Sequence, residues 1–148
     1  MKLTDSLQGV TRLFLDTAPV IYYIENHPQY FSIIKPIFDR IDNSLLIAVT
    51  SPVTLSECLV IPYRLGQPQI QQLFINQLVN GNNTQFRSID SNIAQQAAQL
   101  RSRYNLALLD AYQVAIAIET NCEAFLTNDI ALKRVTELRV LVADELEL

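Results

Sequence analysis

Residues 45–50, LLIAVT, form an unbroken apolar run that ends in a threonine and carries no charge. A strand with one wet face alternates apolar and polar side chains, whereas a strand covered on both faces has no reason to alternate. The run therefore reads as a central strand of a parallel sheet with helices on either side. RLFLD at 12–16, EAFLT at 123–127 and LRVLV at 138–142 repeat the pattern, and TQFRSI at 84–89 is a weaker version of it.

Between these runs the apolar period changes to three and four, the mark of helices. TAPVIYYIEN follows the first strand as a helix that His27-Pro28 stops. Phe31, Ile34, Ile37, Phe38 and Ile41 make an amphipathic stripe that Pro36 either kinks or divides. Ser51-Pro52 and Gln67-Pro68 each open a helix with proline at the first helical position, Ser51 serving as N-cap, and the second helix stops at Asn80-Gly81. Asp90 or Ser91 caps a helix striped by Ile93, Ala97, Leu100 and Tyr104. After Asn105, LLDAYQVAIAIET is a helix apolar nearly all round, which places it centrally. NDIALKRV predicts a short helix before the last strand, and the tail DELEL a frayed or loosely packed end. Strands alternating with helices predict an α/β fold, a three-layer α/β/α sandwich around a mainly parallel sheet.

A chain of 148 residues that is 49% apolar has material for one compact domain, 1–148, and none for a second. Fifteen acidic against eleven basic residues give a formal net charge of -4, which argues against nonspecific duplex binding through a dense basic face. Bound cations offset such charge locally, so the balance does not exclude nucleic acid. Neither G-x-G-x-x-G nor G-x-x-x-x-G-K-[ST] occurs, which removes the dinucleotide and P-loop readings. His27 is the only histidine, so a Ser-His-Asp triad and a zinc cluster have little to draw on. Cys58 and Cys122 lack CxxC spacing and read as reduced, buried thiols. No leader-type apolar core and no run near the ~18 residues of a membrane span stands out, so a cytoplasmic protein is expected.

Four acids interrupt this apolar sequence at the strands or just beyond them. Asp16 closes RLFLD, Glu57 lies in the helix after LLIAVT, Asp110 opens LLDAYQVAIAIE, and Asp129 follows EAFLT. Taken singly, each has an ordinary role: Asp16 and Asp129 as helix caps, Asp110 as a first-turn acid, Glu57 as an arginine's partner or a wet-face residue. In a parallel sheet, however, all four positions fall on the edge where open α/β sheets bind ligands. Convergent carboxylates repel unless cations sit between them, and hard oxygen donors select Mg²⁺ or Mn²⁺ over zinc. Their joint placement predicts a divalent-cation pocket suited to phosphodiester hydrolysis. An aspartyl-nucleophile phosphatase would carry a second acid two residues after Asp16, where this chain has Ala18. Arg12, Arg64, Lys133 and Arg134 are the basic residues available for phosphate contact, and Tyr22 and Tyr23 the aromatic ones for base stacking.

The segments LFLDTAPVIYYIE, SPVTLSECLV, LLDAYQVAIA and FLTND are similar, in that order, to the four acidic motifs of the PIN-domain family. Within it they most resemble the VapC-like toxins of bacterial toxin–antitoxin pairs; DAYQVAIA and the T-N-D turn are the more specific matches. The resemblance implies a PIN-like α/β/α domain, an Mg²⁺- or Mn²⁺-dependent ribonuclease acting on RNA, frequent homodimers, and a small antitoxin that blocks the site. It sets the family's metal-binding, catalytic acids on Asp16, Glu57, Asp110 and Asp129, with Thr17, Thr127 and Asn128 as supporting polar residues. Ile116 and Ile118 stand where the family often has alanines, a difference expected to alter helix packing rather than chemistry. The alternative is a catalytically silent PIN-like module that binds RNA or a protein partner, against which the retention of all four acids weighs.

Overall fold

The computed structural model describes residues 1–148. Its strands are β1 (Arg12–Leu15), β2 (Ile47–Thr50), β3 (Thr84–Phe86), β4 (Ala124–Thr127) and β5 (Arg139–Val142). Its helices are α1 (Leu3–Ser6), α2 (Thr17–Ile24), α3 (Phe31–Asp42), α4 (Pro52–Arg64), α5 (Pro68–Leu78), α6 (Ser91–Tyr104) and α7 (Leu108–Glu119). The strands make one five-stranded sheet in the order β3-β2-β1-β4-β5, and every pairing is parallel.

Pleating sends alternate side chains to opposite faces. Leu13, Leu15, Ala48, Leu126 and Leu141 point into a core shared with α2, α3, α4 and α5. Phe14, Val49 and Phe125 point the other way, into a core shared with α6 and α7. Phe14 and Phe125 stack there with ring centroids 4.9 Å apart. Coverage on both faces buries every residue of β4, which is the physical reason these runs do not alternate. The three-layer α/β/α arrangement expected from the sequence is the one observed. Pro36 lies within α3 without dividing it, and Cys58 and Cys122 are free thiols buried in opposite cores.

Local differences from the sequence expectation cluster at the edges. β3 stops at Phe86 instead of Ile89: as an edge strand with only β2 beside it, its continuation becomes the loop that leads to the Asp90 cap of α6. The short helix expected of NDIALKRV is present, as a 3-10 helix over Ile130–Arg134. The tail is not frayed. Leu146 packs into the core beside α1, and Glu147 takes part in backbone bonds from Leu3 N at 2.7 Å and to Met1 O at 2.9 Å. No helix is long and apolar enough to cross a membrane.

The order of the sheet reverses beside β1, with β2 and β3 laid to one side and β4 and β5 to the other. Crossovers on the two sides diverge at such a point and leave a crevice beyond the carboxyl ends of β1 and β4. Asp16 stands at the end of β1 and Asp129 two residues beyond β4, so the topology alone delivers both to that crevice.

Candidate functional site

The crevice widens into a pocket of about 340 Å³ lined by Asp16, Thr17, Ala18, Ile21, Tyr22, Glu57, Asp110, Thr127, Asn128 and Asp129. All four acids and all three supporting residues expected from the sequence lie in its wall. No lysine or arginine does.

Asp16 carries two roles at once. Its backbone is extended, its Oδ1 accepts from Thr17 N at 2.9 Å as the N-cap of α2, and its Oδ2 accepts from the Thr127 hydroxyl at 2.7 Å. The capping role anticipated for it is real and leaves further lone pairs free for a ligand. Glu57, exposed on α4, is reached by the Thr17 hydroxyl, which donates to its Oε1 at 2.6 Å. Asp129 is exposed and caps its 3-10 turn by accepting from Ala131 N at 3.0 Å. Its own N–H donates to Thr127 Oγ1 at 3.1 Å, so one threonine joins Asp129 to Asp16. Asn128 buttresses the wall: it donates to the Tyr22 hydroxyl at 2.9 Å and accepts from Asp144 N at 2.9 Å. Asp110, in the first turn of α7 and half-buried, is the acid that no neighbour hydrogen-bonds.

These surroundings leave negative charge uncompensated. Burial raises the Asp16 pKa, opposed by the bonds from Thr127 and Thr17 and by the Gln113 amide, with Glu57 repulsion adding to the rise. The residue as a whole keeps some exposure; it is the carboxyl end that is sunk. Asp110 is pushed up to about 6, first by burial and then by the charges of Asp16, Asp129 and Glu57. An all-oxygen donor set with mutual repulsion and no basic neighbour fits a hard divalent cation. No three His, Cys, Asp or Glu side chains are already gathered at ligating distance. The four acids share a pocket without forming a closed cage.

Other sequence candidates sit elsewhere. Arg12 is at the opposite end of β1, its Nε donating to Thr120 O at 2.8 Å, and Lys133 pairs with Glu145 at 2.7 Å. Arg134 donates to the carbonyls of Tyr104 and Asn105 at 3.3 and 3.1 Å, and Arg64 is in the last turn of α4. Tyr23 is committed to Phe38, its ring stacked 3.9 Å away, whereas Tyr22 lines the pocket. His27 caps a turn, its Nδ1 accepting from Gln29 N at 3.1 Å. A second cleft, between α6 and α7, is lined by Gln96, Gln99 and the Arg103–Glu137 ion pair and gathers no like charges. The residue that sequence reading passed over is Gln113. Its signal was present: a lone amide in DAYQVAIA, three positions after Asp110 and so on the same face of α7.

An acidic pocket at the switch point of a parallel α/β/α sheet stands where open α/β folds bind their ligands. The model of the PIN domain matches residues 13–138, and the chain belongs to the PIN-domain family. No curated protein sequence matches it. Among solved structures, VapBC2 from Rickettsia felis, crystallised with a DNA fragment from their promoter, superposes with a TM-score of 0.68 at 17% identity, covering 89% of this chain and 98% of that one. VapC20 of Mycobacterium tuberculosis, described as a sarcin-ricin loop cleaving toxin, gives 0.67 at 14% identity over 86% and 98% of the two chains. FitAcB of Neisseria gonorrhoeae gives 0.67 at 17% over 90% and 99%.

Proposed function

We propose that the chain is a divalent-cation-dependent endoribonuclease, working as one domain, and the toxin of a toxin–antitoxin pair. The observation that carries this reading is the gathering of Asp16, Glu57, Asp110 and Asp129, from four separate elements, into one pocket without a basic side chain. The similarity of fold to VapC toxins supports the toxin assignment.

Asp16 and Asp110 are the acids best suited to hold Mg²⁺ or Mn²⁺, with Asp129 and Glu57 completing the donor set. When bound, such a cation lowers the pKa of a water and neutralises charge on the phosphoryl oxygens. The protein's part is placement. Thr127 holds Asp16 against Asp129, and Thr17 holds Glu57 where it can orient a water or serve a second ion. Asp110 keeps both oxygens uncommitted. Tyr22, tied to Asn128, supplies the aromatic wall available to a base.

The decisive experiment is cleavage of a single-stranded RNA with Mg²⁺ or Mn²⁺. Activity that disappears with EDTA and in Asp16→Asn supports the reading; cleavage that persists in both Asp16→Asn and Asp110→Asn sinks the site assignment. The open spacing of the acids favours one competitor, a catalytically silent module. Under that reading millimolar Mn²⁺ leaves thermal stability unchanged. A small antitoxin partner and a homodimer complete the proposal, checked by a neighbouring reading frame for a small DNA-binding protein and by the mass of the purified chain.

A further inference from the structure

Gln113 is 1% exposed on α7, and both ends of its amide are engaged. Its Oε1 accepts the Ser51 hydroxyl, and its Nε2 donates to Thr54 Oγ1 at 2.6 Å. Ser51 Oγ already accepts from the backbone amides of Val53 and Thr54, both at 3.2 Å, so its single proton goes to Gln113. Thr54 in turn sends its proton to the Leu15 carbonyl at 3.1 Å. The chain of bonds is therefore directional. A reversed amide would set N–H groups against a hydroxyl whose lone pairs are taken. No buried side-chain nitrogen or oxygen in the molecule lacks a partner.

The members of this chain stand directly behind three acids of the pocket. Gln113 lies one helical turn after Asp110, Thr54 one turn before Glu57, and Leu15 immediately before Asp16. No backbone bond joins α4, α7 and β1 to one another here; side chains make the joint. An apolar side chain of the same shape would fill the space but leave the buried Ser51 proton without its acceptor, so shape alone gives no reason for an amide, whereas the joint it makes does. We propose that Gln113 is a positioning residue: it fixes the mutual placement of Asp16, Glu57 and Asp110 and thereby sets the pocket's affinity for a divalent cation, an inference that rests on the cation-site reading above.

The test is calorimetric titration of Mn²⁺ into the full chain, with a metal-free thermal melt of each variant. Gln113→Met keeps the volume and removes both polar contacts; Thr54→Val does the same one bond further on. Each is expected to weaken Mn²⁺ binding roughly 10- to 100-fold, as loss of residues that orient metal ligands does, while melting cooperatively. Because they break one joint, the double variant should be no weaker than the worse single. Should Gln113→Met fail to fold, Thr54→Val alone carries the expectation. Tight binding in the unmodified chain with unchanged affinity in the variants overturns the role of Gln113 and leaves the cation site standing. Absence of binding in the unmodified chain overturns both.

Discussion

The two edges of the sheet treat carboxylates in opposite ways. At the amino-terminal edge, Glu123 accepts from Thr11 N at 2.9 Å, from Arg12 N at 2.7 Å and from the Thr11 hydroxyl at 3.0 Å. Burial pushes its pKa up, but these bonds outweigh it and the net shift is downward. At the carboxyl edge Asp110 accepts nothing, faces three other acids and is pushed up to about 6. An acid that serves the fold is saturated with donors. One kept unsaturated beside like charges destabilises the folded protein, a pattern of functional sites that the proposed cation would offset.

The contrast breaks most visibly in activity. Under the proposed function, Asp16→Asn and Asp110→Asn are expected to lower RNA cleavage by at least two orders of magnitude, roughly 3 kcal/mol of transition-state stabilisation, whereas Glu123→Ala is expected to leave the rate of the folded chain unchanged. Loss of cleavage in Glu123→Ala at full foldedness would contradict the division between edges. The stability measurement runs the other way. Glu123→Ala should cost about 1 kcal/mol in urea titration, the value of charge-assisted hydrogen bonds discounted for their exposure.

An effect of similar size at Asp110 has the most distinctive sign. Asp110 has a folded value of about 6 against an ordinary 3.8, so between those pH values the folded state binds more protons and stability falls as pH rises. The full penalty is present above about 6. In metal-free protein at pH 7, Asp110→Asn should therefore raise stability, by about 1 kcal/mol once water screening of the half-exposed carboxyl is allowed for. At pH 4 the gain should vanish. Destabilisation at pH 7 would show that Asp110 has a stabilising partner after all.

The acidic edge was legible in the sequence, whereas the donor-saturated Glu123 at the other edge was not, for physical reasons. The runs at Arg12–Leu15, Ile47–Thr50, Ala124–Thr127 and Arg139–Val142 announced themselves because burial on both faces leaves no polar alternation. Once those strands were placed in parallel, the positions of Asp16, Glu57, Asp110 and Asp129 followed. What local pattern does not encode is which acid acquires donors: Thr127 reaches Asp16 across β1 and β4, and Thr17 reaches Glu57 across α2 and α4. The tail, expected to be frayed or loosely packed, is docked for the same reason: its backbone partners, Met1 and Leu3, lie at the other end of the chain. Gln113 was hidden among apolar neighbours that correctly signalled a buried helix and gave no hint of Ser51 or Thr54 opposite.

The most direct test of the acidic edge as a cation site is a thermal melt with and without millimolar Mn²⁺ at neutral pH, on the unmodified chain, Asp110→Asn and Glu123→Ala. With free Mn²⁺ about a hundredfold above its Kd, binding adds about 2.7 kcal/mol, roughly 5–10 °C for a chain of this size. That rise is expected in the unmodified chain and in Glu123→Ala and should be largely lost in Asp110→Asn. No rise in the unmodified chain, or an equal rise in all three, would contradict the account.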